Sequence, residues 1–277
     1  TKTWGLMCLV KSKTPAVDKE LANTVPAWPS AIYAIMALAM LTIAVMLALG
    51  FFFDAPLREM ANPDVPENPA KAPWYFLGLQ ELLVYFDPWI AGVLLPGLIV
   101  VGLIALPYMD KNPRGNGYYT FKERPFAIST FMFGFVILWV VLIVFGTFLR
   151  GPNWNFFGPY EFWDAHRPAA LLNINFSAIF WVQWLGRGIP TEGWLIFPGY
   201  LVREAPGIVA LLIYFAVFPL ILQKTVFRKL SAQMGFARYA IMVSLFLWMV
   251  FVPIKMVLRW TLNLHYIVAI TELFLNF

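Results

Sequence analysis

Residues 126–149 read FAISTFMFGFVILWVVLIVFGTFL, a run without one Asp, Glu, Lys, Arg or His. As a helix rising about 1.5 Å per residue it is longer than the roughly 30 Å of hydrocarbon in a bilayer. Charge returns at its edges, with Arg124-Pro125 before it and Arg150 after it. Similar runs occupy about 31–53, 89–108, 206–223 and 239–258. Across all five, the one Asp, Glu, Lys, Arg or His is Lys255, close enough to an end for its stem to carry the ammonium to the interface. The pattern predicts an all-α polytopic membrane protein with about five transmembrane helices.

The rest of the composition agrees. Of 277 residues, 61% are hydrophobic and 13% charged, against about 25% charged in soluble domains. Twelve Trp suit a chain whose helix ends sit at headgroup level. The net charge of +5 does not point to nucleic acid, because Lys and Arg gather at the ends of apolar runs and form no stripe with stacking aromatics. A single cysteine, Cys8, excludes a disulfide framework and is read as structural. A transporter or pump would place ionisable groups at mid-membrane depth, whereas here they stay in the connections, so any chemistry belongs near a membrane surface.

Those connections alternate in charge. The tail 1–30 holds four basic and two acidic residues, 54–88 two and six, 109–125 four and two, 150–205 four of each, and 224–238 four basic and none acidic. The positive-inside rule then places the N-terminus, 109–125 and 224–238 in the cytoplasm, and 54–88 and 150–205 outside. The run 171–186 (LLNINFSAIFWVQWLG) is short and polar for a span, and is expected to lie in the outer interface as an amphipathic helix. Lys224, Arg228, Lys229 and Arg238 are topological determinants before they are a site for anionic lipid.

In the first outward connection, Asn68-Pro69-Ala70-Lys71-Ala72-Pro73-Trp74-Tyr75-Phe76-Leu77-Gly78-Leu79-Gln80-Glu81 suggests a short helix opening at Pro73, a residue that loses no hydrogen bond at a first helical position. Helical spacing would put Trp74, Glu81 and Tyr85 on one face, with the carboxylate beside two aromatic rings. The plain alternative is an interfacial anchor helix with a solvated Glu.

Three stretches resemble, in order, subunit IV and the C-terminal half of cytochrome b in cytochrome bc-type complexes. Pro26-Ala27-Trp28-Pro29 precedes the first span as Pro-Ala-Trp-Pro does in subunit IV. Pro73-Trp74-Tyr75 lies where the family has Pro-Glu-Trp-Tyr, and Arg124-Pro125 opens the third span like the family's Arg-Pro. The resemblance extends over about residues 20–150. It implies a quinol:cytochrome c (Rieske/cytochrome b) oxidoreductase subunit forming part of the outward-facing quinol-oxidation site, in a bacterial inner (plasma) membrane or an equivalent energy-transducing membrane. Pro73, Trp74, Tyr75 and Tyr85 would line the quinol pocket.

The family's glutamate is replaced here by Pro73, which cannot take a proton. Glu81 is therefore the candidate proton acceptor, since desolvation of a half-buried carboxylate favours its neutral form; Asp87 or a partner residue are the alternatives. Two histidines, His166 and His265, cannot supply two bis-histidine haems, and His166 is read as an exposed loop residue. The resemblance implies that the b haems and a Rieske iron–sulfur cluster lie on partners: a haem-bearing N-terminal cytochrome b subunit, a Rieske-type protein and a c-type cytochrome. The domain reading is a cytoplasmic tail (1–30), a three-helix quinol-site domain (31–150), an outward aromatic-rich loop (151–205) and two further spans (206–277). A rival class is a structural or quinone-binding anchor subunit of another redox complex.

Overall fold

The computed structural model describes residues 27–53, 60, 62–64, 67–112, 121–158, 172–193 and 197–277; Cys8, most of the 1–30 tail and His166 lie outside them. The chain divides into two units, Thr1–Asp64 and Val65–Phe277.

In the first unit, α1 (Ile32–Phe52) has no buried residue and is apolar on every side, as a helix bathed in lipid must be. The turn before it, Ala27–Ala31, contains Trp28 in non-helical geometry, with its ring 5.8 Å from that of Tyr33. Paired aromatic rings at a helix end fit the headgroup level.

The second unit holds α2 (Leu77–Leu82) and the long apolar helices α3 (Ile90–Met109), α4 (Pro125–Leu149), α6 (Gly199–Lys224) and α8 (Phe236–Leu262). With α1 these make five helices long and apolar enough to cross a bilayer. The short α5 runs through Phe176–Ala178 and Ile179–Trp184, and α7 is Arg228–Met234. At 3 and 6 residues, the two parts of α5 give a rod of about 14 Å, too short to span. After α8, strands β1 (Ala269–Ile270) and β2 (Leu275–Asn276) pair antiparallel, Ala269 opposite Asn276.

The spans fall where the apolar runs predict, with one instructive shift. The fourth helix begins at Gly199, whereas the sequence suggests 206. Arg203 and Glu204 made the preceding turn look like loop. They are accommodated because Arg203 Nε donates to Glu204 Oε1 at 3.0 Å, and its other guanidinium nitrogens reach Glu272 and the Ala269 carbonyl. Helical backbone is tolerated there because the buried Glu204 carboxylate is paired by Arg203, whose guanidinium reaches the surface at Glu272.

Two ends of the four-helix unit can be told apart by their side-chain ties. At one end α3 and α6 begin and α4 and α8 finish. There the Lys71 ammonium donates to the Thr147 carbonyl (2.8 Å), Trp181 Nε1 to the Arg203 carbonyl (3.0 Å) and the Ala269 amide to Glu204 (3.1 Å). At the other end Arg124 pairs with Asp110, Arg238 Nε donates to the Tyr108 carbonyl, and Phe126 packs on Phe227. The main buried cluster includes Leu82, Tyr85, Phe86, Ile90 and Ala91 from the α2–α3 segment, Leu142 from α4, and Phe251, Val252 and Met256 from α8. Lipid is as apolar as these side chains, so close packing and hydrogen bonds hold the helices together more than the hydrophobic effect does. Small residues serve that packing: Gly146 of α4 lies against Leu77, and Gly207 of α6 against the Ile267 carbonyl.

Candidate functional site

At the end where α3 begins, the chain from Ala70 to Asp87 folds back on itself. Gln80 fastens it, accepting from the Ala72 amide and donating to the Ala70 carbonyl, both at 2.8 Å. Pro73–Phe76 forms a turn, the Phe76 amide donating to Pro73 O at 2.8 Å, and the α-helix starts only at Leu77. The turn breaks the helical phase expected from Pro73. Trp74, 67% exposed, faces outward with Tyr75 and Phe76, whereas Glu81 and Tyr85 point into the unit. Trp74 therefore does not share a face with Glu81. The three exposed rings form a continuous edge, with centroids 5.7 Å apart for Trp74–Tyr75 and 4.8 Å for Tyr75–Phe76.

Glu81 is 0% exposed and surrounded by donors. The Arg150 guanidinium grips it in two places, Nη2 to Oε1 at 2.7 Å and Nε to Oε2 at 3.0 Å. Tyr85 Oη donates to Oε1 at 2.9 Å and Trp154 Nε1 to Oε2 at 3.0 Å. Each oxygen thus meets two donors, which fills the four lone-pair positions of a carboxylate. This is a different setting from the half-buried carboxylate expected from the sequence. Burial, then the negative Glu81, push the Tyr85 hydroxyl well up, so it remains a donor.

Arg150 stands at the edge of α4, 5% exposed, and its Nη1 also donates to the Trp154 carbonyl at 3.1 Å. The turn that brings Trp154 over Glu81 needs two consecutive left-handed residues, Asn153 (φ 55) and Trp154 (φ 57). The sequence reading missed both. Arg150 looked like an ordinary span boundary, and the sole hint was a basic residue at the rim of an acid-rich side.

A second carboxylate lies just beyond. Asp87, half-buried, accepts from Tyr266 Oη (3.1 Å) and Asn276 Nδ2 (3.3 Å), both from the segment after α8. The neighbouring His265, which lies outside every long apolar helix described, packs at a tilt on Tyr266 with ring centroids 3.8 Å apart. Its carbonyl accepts from the buried Lys255 Nζ at 2.7 Å. Burial, then the positive Arg259 and Lys255, push His265 down to about 4, while burial and the bond to Asp87 push Tyr266 up to about 12.

That depression of His265 makes stability depend on pH. The unfolded chain binds the proton from about 6.5 downward and the folded chain only near 4. Stability is therefore complete above about 6.5 and falls as the pH drops towards 4. Thermal unfolding in detergent between pH 4 and 7 should show this slope, and His265→Gln should flatten it.

Among solved structures, none matches the chain. A family match begins after α1, so Pro26-Ala27-Trp28-Pro29 falls outside it, and it extends past Arg150 and Trp154. It contains Glu81 and all four of its side-chain donor groups, but neither α8 nor the residues that hold Asp87 from behind. Residues 60–161 match the family model described as cytochrome b(C-terminal)/b6/petD, so this segment is similar to the C-terminal part of cytochrome b.

Proposed function

We propose that the chain is the membrane subunit that supplies part of the outward-facing quinol-oxidation site of a quinol:cytochrome c (Rieske/cytochrome b) oxidoreductase. The family match supports a membrane subunit of a cytochrome bc-type or b6f-type complex. The observation that carries the finer reading is the exposed edge of Trp74, Tyr75 and Phe76, inside the matched segment and above a rigid buried cluster. Rings set edge to face and tilted on a hydrogen-bonded turn offer an exposed aromatic edge to a quinol head group. Pro73 sets the turn that presents them. Tyr85 and Glu81 act from behind, Glu81 as the carboxylate that with Arg150 fixes the loop to α4.

In this reading the end bearing that edge faces outward. The opposite end, with Lys111, Lys122, Lys224, Arg228 and Lys229, faces the cytoplasm with the N-terminus. Electrons leave to an iron–sulfur cluster and b haems on a Rieske-type protein and a haem-bearing cytochrome b subunit, and onward to a c-type cytochrome.

Quinone-analogue binding and quinol oxidation by the purified complex test the proposal. Trp74→Ala should raise the KM for quinol about 2- to 10-fold with kcat nearly unchanged, because it removes aromatic contact and no reacting group. A wild-type complex that neither binds the analogue nor oxidises quinol would make the chain an anchor subunit, the role that Pro73 at the family's glutamate position favours.

A further inference from the structure

We infer that Asp87, held by Tyr266 and Asn276, is the carboxylate through which a quinol proton leaves, so that residues 263–277 complete a site begun in the family-matched segment. This rests on the quinol-site reading.

The two carboxylates of the α2–α3 segment differ in what binds them. Glu81 has its lone pairs filled, two of them by a guanidinium, and protonating it would strand Arg150 in a buried position. Asp87 is half-buried, and among the described residues no Lys or Arg pairs with it. Its side-chain donors there are Tyr266 and Asn276, both on Oδ1. Oδ2 keeps its acceptor capacity.

The surroundings are polar and incompletely satisfied. Asn276 Oδ1 and Trp89 Nε1 are buried and have no hydrogen-bond partner among the described residues. Asn276 Oδ1, an acceptor on the side chain that donates to Asp87, calls for a hydrogen-bonding group from outside those residues, such as a quinol hydroxyl. The charged and titratable neighbours do not compete for the proton. His265 is neutral above about 4 and Tyr266 is protonated to about 12. Lys255 donates to the His265 carbonyl, and Arg259 to the Leu172 and Asn263 carbonyls and to Asn173.

The step balances. Quinol loses two electrons, one to the iron–sulfur cluster and one to the b haem of the partner subunits, and becomes quinone. One hydroxyl O–H bond breaks as an O–H bond forms on Asp87, which then releases that proton to the outer water. The second proton goes to a base on a partner subunit. Tyr266 is a positioning residue, since its hydroxyl holds Oδ1 of Asp87 and leaves Oδ2 to accept.

The test uses the purified complex carrying Asp87→Asn, Asp87→Glu or Tyr266→Phe, with quinol oxidation followed from pH 6 to 9 and quinone-analogue binding measured alongside. Asp87→Asn should lower the oxidation rate by about 10²-fold or more and leave analogue binding intact, while Asp87→Glu restores most of the rate. Tyr266→Phe should lower kcat about 3- to 10-fold with KM and analogue binding nearly unchanged, because the carboxylate loses the donor that holds Oδ1. Normal oxidation by Asp87→Asn overturns the inference while the quinol-site reading stands. If the Asn variant does not assemble, an unchanged kcat in Tyr266→Phe overturns it instead. Loss of analogue binding in the wild-type complex sinks the quinol-site reading itself.

Discussion

Arg150→Met should lower the stability of the chain by about 3–5 kcal/mol, the cost of stranding one member of a buried ion pair. The substitution keeps most of the side chain's bulk but leaves the Glu81 carboxylate, 0% exposed, with only Tyr85 and Trp154 as partners. Denaturant unfolding in detergent and the amount of assembled complex in membranes measure the effect. Replacing both partners together, Arg150→Met with Glu81→Leu, should recover most of the loss, because no buried charge then remains. A single variant as stable as the wild type would show that the pair does not hold the loop. Glu81→Gln divides two roles. A fixing carboxylate predicts failed assembly, whereas a proton acceptor predicts normal assembly and a rate lower by about 10²-fold.

The second large effect is expected at Gly207→Ala, where a methyl group would collide with the Ile267 carbonyl oxygen and press on the Val268 side chain. A backbone carbonyl cannot swing aside as a side-chain tip does. Ile267 and Val268 are themselves buried between α6 and the body of the unit. The cost should be about 3 kcal/mol, the upper part of the range for overpacking. It should appear as a lower thermal midpoint, together with weaker protection of the Ala269 amide, whose acceptor is Glu204. An unchanged midpoint would mean that the segment after α8 can move away from α6 at no cost.

The spans were legible because lipid imposes one rule on every position of a helix, and runs such as 126–149 obey it without exception. The Glu81–Tyr85 pair was legible too, since four residues of helical spacing place both on one side. Arg150 was not, because 69 residues separate it from Glu81 and no periodicity carries such a pairing. Trp74 was misplaced for a local reason: a turn before Leu77 shifts the helical phase that Pro73 seemed to start. The segment 263–277 read only as the end of the region of two further spans, 206–277. Its importance lies in two hydrogen bonds to Asp87, 179 and 189 residues away.

That separation sets an order of events as the chain is made. Arg150 can reach Glu81 as soon as α4 has emerged, whereas Tyr266 is synthesised roughly ten seconds later at 5–20 residues per second. The nascent protein therefore passes through a stage in which the first acid can already be clamped and the second still lacks its donors Tyr266 and Asn276. Any chaperone or partner that captures the early form meets a ready aromatic edge and an unfinished Asp87.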